Sequence, residues 1–123
     1  MNVNEINAGV LAYVGDAVYE VFIREYLIKK IPNNVNELQR EAINFVSAKS
    51  QAEILERLIA KNILTEEELL VVHRARNHKP NSKPKHTDIK TYKKATALEA
   101  LFGTLYIKEQ NERIEKIMKE ILG

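Results

Sequence analysis

Residues 11–20 read LAYVGDAVYE. This apolar helical run is interrupted by Gly15 and Asp16, and the interruption constrains the fold more than any other feature of the chain. A glycine inside a helix costs about 1 kcal/mol relative to alanine. A carboxylate buried without partners costs more, or takes up a proton. A second run, ATALEALFGTLYI at 95–107, repeats the combination: Glu99 stands among Leu98, Ala100, Leu101 and Phe102, with Gly103 one turn on. Residues three and four apart share a helix face. Ala95, Thr96, Glu99 and Gly103 therefore form a small-residue strip around one carboxylate. Ala12, Asp16 and Glu20 share a face flanked by Gly15 and Ala17. Small residues let helix backbones approach closely, so the two helices are expected to cross near Gly15 and Gly103, with Asp16 and Glu99 meeting there.

The remaining punctuation is helical as well. Val10, Val14, Val18, Val21 and Phe22 recur at helical spacing over residues 6–30 and are expected to face the core. IPNN at 31–34 ends that helix, and Asn34 followed by Glu37 starts another. Ser47 or Ser50 caps a third, with Leu55, Leu58 and Ile59 inward. TEEE at 65–68 has the Thr-x-x-Glu pattern of a capping box. The stretch NHKPNSKPKHT after residue 76 contains Pro80 and Pro84 and no apolar residue, which predicts an exposed loop. Thr87 or Asp88 caps a long helix through Lys108. Asn111 caps a last one, whose apolar face is Ile114, Ile117, Met118, Ile121 and Leu122. Period-2 alternation, internal repeats and low-complexity linkers are absent. The expectation is an all-α protein, one helical domain over residues 1–123.

A chain of 123 residues with 45% apolar content can bury a core without staples. It has no cysteine, which excludes a disulfide framework and a thiolate zinc site. The start, MNVNEINAGV, does not resemble a secretory signal, and no apolar run is long enough to span a bilayer. A soluble, cytoplasmic protein is expected. The net charge of +2 conceals an asymmetry. From Arg74 to Lys94 eight basic residues face one acid, Asp88, a net +7, while the remainder of the chain nets −5. Charge concentrated in this way suits a polyanionic partner.

Two carboxylates in one pocket repel, so one is held protonated unless a cation neutralises both. Without cysteine, and with the histidines near or within the basic stretch, the donors are oxygens, which favours Mg²⁺ or Mn²⁺. Alternatively, each acid caps a neighbouring helix or pairs with an arginine such as Arg24. Set beside the +7 stretch, the two acid-plus-glycine helices point to a metal site acting on a phosphodiester.

The blocks LAYVGDAVYE, FVSAKSQA and RARNHKPNSKPKHTDIKTYKKATALEALFGTLYI resemble, in order and spacing, those of Mini-ribonuclease III. This is the compact bacterial branch of the ribonuclease III family that lacks a separate double-stranded-RNA-binding domain. The resemblance covers about residues 8–107. It implies a ribonuclease III-like endonuclease fold and a homodimeric, Mg²⁺-dependent endoribonuclease cleaving double-stranded RNA to leave 5′-phosphate ends, with 23S ribosomal RNA precursor as substrate. Asp16 matches the catalytic aspartate of the Gly-Asp signature, and Glu99 the metal-binding glutamate of the second acidic motif. Larger family members carry a glutamate where Ala12 stands and an aspartate where Thr96 stands, and the compact branch shares this reduced set. Glu20, one turn past Asp16, either orients water at the metal or belongs to a surface ion pair.

The resemblance gives the basic stretch a task. Arg74, Arg76, Lys79, Lys83, Lys85 and His86 would supply the RNA-binding surface, with Asn77, Asn81 and Ser82 reaching 2′-hydroxyls or base edges. Duplex RNA is read mainly by shape and backbone. A two-fold dimer would cut both strands, and the first helix, through Tyr13, Val14 and Tyr19, is the expected interface. The rival reading is a non-catalytic RNA-binding or ribosome-assembly protein whose acids only stabilise helix packing. A nucleotide phosphohydrolase is disfavoured, because no His-Asp pair falls within a helical pattern.

Overall fold

The computed structural model describes residues 1–79 and 88–123. Six helices follow a short 3₁₀ turn at Val3–Glu5: α1 (Ala8–Lys30), α2 (Val35–Val46), α3 (Ala48–Ala60), α4 (Glu66–Arg76), α5 (Ile89–Ile107) and α6 (Asn111–Leu122). No strand occurs among the described residues, and the protein is all-α.

Most boundaries follow side-chain capping. Asn7, Asn34, Ser47 and Asp88 each accept a hydrogen bond from a backbone N–H in the first turn of the helix they precede. At α4 the capping box closes in both directions: Thr65 Oγ1 accepts from the Glu68 N–H and Glu68 Oε1 accepts from the Thr65 N–H. Two expected starts shift. The first helix begins at Ala8, since Asn7 caps it. The last begins at Asn111 itself, preceded by Gln110, whose side chain makes no capping bond.

Helix α5 lies at the centre and packs against α1, α3, α4 and α6. From Ala95 to Leu105 it is buried on nearly every side; Thr96 and Glu99 are the exceptions. Thr104 is satisfied internally, donating to the Ala100 carbonyl at 2.8 Å. Tyr19 ties three helices together: its ring lies 5.4 Å from that of Phe102 on α5, and its hydroxyl donates to the Phe45 carbonyl on α2 at 2.7 Å. Helix α6 presents Ile114, Ile117, Met118 and Ile121 to the core. Arg113 then fastens it to α4, donating from two nitrogens to both oxygens of Glu68 at 2.7 Å. Burial works against the Glu68 charge, but the Arg113 and Thr65 hydrogen bonds outweigh it and hold the carboxyl below its ordinary pKa.

The inward stripe of α1 differs from the expected valine stripe. The buried positions are Ala8, Leu11, Ala12, Gly15, Tyr19, Ile23 and Leu27. Val10 and Val21 are exposed, while Val14, Val18 and Phe22 are half-buried. The reason is the approach of α5. A Cβ added to Gly15 would lie 1.6 Å from the Glu99 backbone oxygen, and one added to Gly103 would lie 1.9 Å from that of Leu11. Only the face carrying glycine and alanine can enter so close a crossing, so Val10 and Val21 are turned outward and Val14 and Val18 are left at its border. Tyr19, expected at an intersubunit surface, belongs to the core for the same reason.

Candidate active site

The glycine crossing positions the two acids. Asp16 follows Gly15 directly, and the backbone of Glu99 is the surface that Gly15 touches. Their side chains enter one cleft of about 590 Å³, floored by α1 and α5 and closed at one end by the last residues of α4. Asp16 is exposed to solvent and Glu99 is half-buried. Burial, together with a hydrogen bond and charge repulsion from Asp16, raises the Glu99 pKa from its ordinary 4.5 to about 8. Without a cation, burial and the neighbouring Asp16 thus favour the protonated form of Glu99.

Neither acid caps a described helix or pairs with Arg24. The helix caps are other residues, and Arg24 pairs with Glu20 at 3.0 Å. Glu20 thus belongs to a surface ion pair, although its charge still acts on Glu99. Among the described residues no cluster of three or more His, Cys, Asp or Glu side chains is placed to hold a metal. A divalent ion here would take two carboxylates from the protein and the rest of its shell from water or substrate oxygens. The donor set fits a hard cation of the Mg²⁺ or Mn²⁺ type.

Several cleft residues were not singled out by sequence reasoning. His78, just past α4, lines the cleft with Tyr92 of α5 and with Asn7, the cap of α1, while the already noted Tyr13, Lys93 and Thr96 complete its wall. Tyr92 lies one turn before Thr96 on the strip that carries Glu99, so helical spacing could have found it. Gln51 of α3 carries no such signal. It is only 3% exposed, does not line the cleft, and its side chain acts on the Glu99 carboxyl. Only the packing of α3 on α5 brings it there.

The basic residues divide. Arg74 and Arg76 lie in the last turn of α4, where cationic side chains complement the helix dipole, so these two of the expected RNA-binding residues are helical. Arg74 donates to the Ile6 carbonyl at 2.6 Å and anchors the amino-terminal segment. Asn77 meets the His73 ring at 3.1 Å, and Arg76 and Lys79 are exposed. Asn81, Ser82, Lys83, Lys85 and His86 lie outside the described residues.

Comparison with known proteins agrees with this arrangement. Residues 9–110 match the ribonuclease III domain model. A Mini-ribonuclease 3 from Staphylococcus aureus is 40% identical over 117 residues, covering 95% of this chain and 87% of its own length. One from Enterococcus faecalis is 42% identical over 114 residues, covering 93% and 86%. One from Brevibacillus brevis is 45% identical over 117 residues, covering 95% and 86%. The crystal structure of a Fusobacterium nucleatum protein superposes with a TM-score of 0.84 at 33% identity, covering 95% of this chain and 93% of that one. A matching domain, a matching fold and relatives of one name across most of the chain lead to one conclusion: this chain is an endoribonuclease of the ribonuclease III family, in its Mini-ribonuclease 3 branch.

Proposed function

We propose that the chain cleaves double-stranded RNA with the help of Mg²⁺, or Mn²⁺ in its place, held by Asp16 and Glu99, and that ribosomal RNA precursor, 23S in particular, is its substrate. The observation that carries this reading is the carboxyl pair itself. Two acids forced together by a backbone crossing are a standing electrostatic cost, and a divalent cation relieves it. The ion, when bound, lowers the pKa of water and stabilises charge on the scissile phosphate. The chain's own residues do the rest. Lys93 and His78 stand at the cleft walls, where a phosphate oxygen can be gripped. Arg76 and Lys79 are exposed at the end of α4 and just past it, next in sequence to the stretch holding Lys83, Lys85 and His86. Hydrolysis of this family's kind leaves a 5′-phosphate and a 3′-hydroxyl.

We also propose that residues 1–123 work as one catalytic unit in a homodimer. The support is the outward face of α1, where Val10, Tyr13 and Val21 are 48%, 81% and 62% exposed and Ala17 lies between them on the same stripe. An apolar stripe beside the cleft suits an interface between two copies. No described helix is long and apolar enough to cross a membrane, which agrees with action in the cytoplasm on ribosomal RNA.

The test uses Asp16→Asn and Glu99→Gln, assayed on duplex RNA, single-stranded RNA and nucleotides, with Mg²⁺ or with chelator. Both variants should fold and bind RNA, with kcat on duplex RNA reduced by about 10²–10³-fold, on the order seen when a central charge-stabilising group is removed. Wild-type cleavage by either variant, or cleavage in chelator, would remove the metal pair from the mechanism. RNA binding without cleavage by the wild-type chain would favour the non-catalytic rival.

A further inference from the structure

Gln51 is the one side chain among the described residues with a buried polar atom lacking a partner: its Nε2 makes no well-formed hydrogen bond. A buried donor left unpaired costs about 1–3 kcal/mol, and a leucine at this position of α3 would avoid the cost. The neighbours of Gln51 on α3 are the core residues Ala52, Ile54 and Leu55, so nothing about local packing calls for an amide. Its side chain faces Glu99, near enough to favour the ionised carboxylate. Asp16 reaches the same carboxyl and favours the protonated form. The Glu99 carboxyl thus lies between Asp16 on one side and a buried amide donor without a partner on the other.

We propose that Gln51 is a positioning residue: its buried amide N–H groups hold the Glu99 carboxylate from behind and fix its orientation toward a cation shared with Asp16. The proposal rests on the reading of Asp16 and Glu99 as a metal site. A carboxylate ligand needs a donor behind it to set its rotamer and spread its charge, and removal of such a donor typically costs about 10–100-fold in metal affinity or activity. Gln51 has the burial and the unpaired donor for that task. Its oxygen cannot serve, since a second acceptor facing the carboxylate would repel it.

The experiment is Mn²⁺ binding to the full chain, followed by the electron paramagnetic resonance signal of the free ion, in the wild type, Gln51→Leu, Glu99→Gln and the double variant. Gln51→Met is carried alongside in case leucine packs badly. The expected result is Mn²⁺ affinity about 10-fold weaker in Gln51→Leu and Gln51→Met, with no further weakening when either is added to Glu99→Gln. In the same variants kcat on duplex RNA should fall about 10–100-fold with KM little changed, while the melting temperature in chelator holds or rises. Mn²⁺ affinity equal to wild type, or an equal weakening with and without Glu99, would overturn the role of Gln51 and leave the metal site standing. A wild-type chain that binds no Mn²⁺ would overturn the metal site, and this proposal with it.

Discussion

Glu99 carries a pH dependence opposite to that of an ordinary surface carboxylate. Its folded pKa of about 8 lies above its ordinary 4.5, so between those values the folded chain holds a proton that the unfolded chain has released. Stability rises with pH only where the unfolded state binds more protons. Here it binds fewer, so the contribution is full below about pH 4.5 and disappears as pH rises to about 8. The metal-free protein should therefore melt at progressively lower temperature across that window in chelator. Asp16→Asn removes the neighbouring charge and should flatten the decline and raise the melting temperature at the upper end of the window. Scanning calorimetry at several pH values decides the matter, and a melting temperature that climbs with pH across the window in chelator would refute the raised pKa of Glu99.

At the scale of elements, the crossing of α1 and α5 is the least forgiving contact. Gly15→Ala would push a methyl group into the Glu99 carbonyl and to 2.7 Å from the Gly103 nitrogen. Backbone has to move, at a cost of about 3 kcal/mol or more, seen as a fall in melting temperature on the order of 10 °C. Much of this was legible in the sequence, because glycine in a helix has few other uses and the acids stood beside it. The caps were legible too, since Asn34, Thr65 and Asp88 act locally. The inward face of α1 was not. Counting valines presumes that the most apolar stripe is the buried one, whereas here clearance between backbones decided the orientation. Gln51 was out of reach because its significance arises from α3 meeting α5, and no spacing along the chain encodes that. A further prediction belongs to the end of α4 and the stretch beyond it. Replacing Arg76, Lys79, Lys83 and Lys85 with alanine should lower the slope of log affinity against log salt by about 0.7–0.9 for each RNA phosphate that is no longer neutralised. Turnover at saturating RNA should change less than KM. Arg74 is left out of that set because its bond to Ile6 makes its removal a structural change. An unaltered slope would mean these residues do not touch RNA.

For the whole molecule, one protomer carries one carboxyl pair, and a duplex has two strands to cut. A two-fold dimer through the outward face of α1 would set two clefts on one duplex and bring the second into place at high effective concentration. Sedimentation at micromolar protein should give about twice the chain mass, and Tyr13→Asp, which places a charge on the stripe, should yield monomers that keep their helical signal. A mixed dimer with one Asp16→Asn subunit should nick duplex RNA in place of severing it. A monomer that severs duplex RNA at full rate would overturn the arrangement.

The glycine crossing also bears on how such a protein can change over generations. Where a site is hung on loops, the scaffold and the chemistry can be altered separately. Here the same touching backbones that join the two longest helices also set where Asp16 and Glu99 stand. A lineage could reshape the basic stretch, and so its choice of substrate, with little penalty. It could not widen the spacing of its two acids without first surrendering the crossing that makes it fold, so inherited variation should collect at the rim of the cleft and spare its floor.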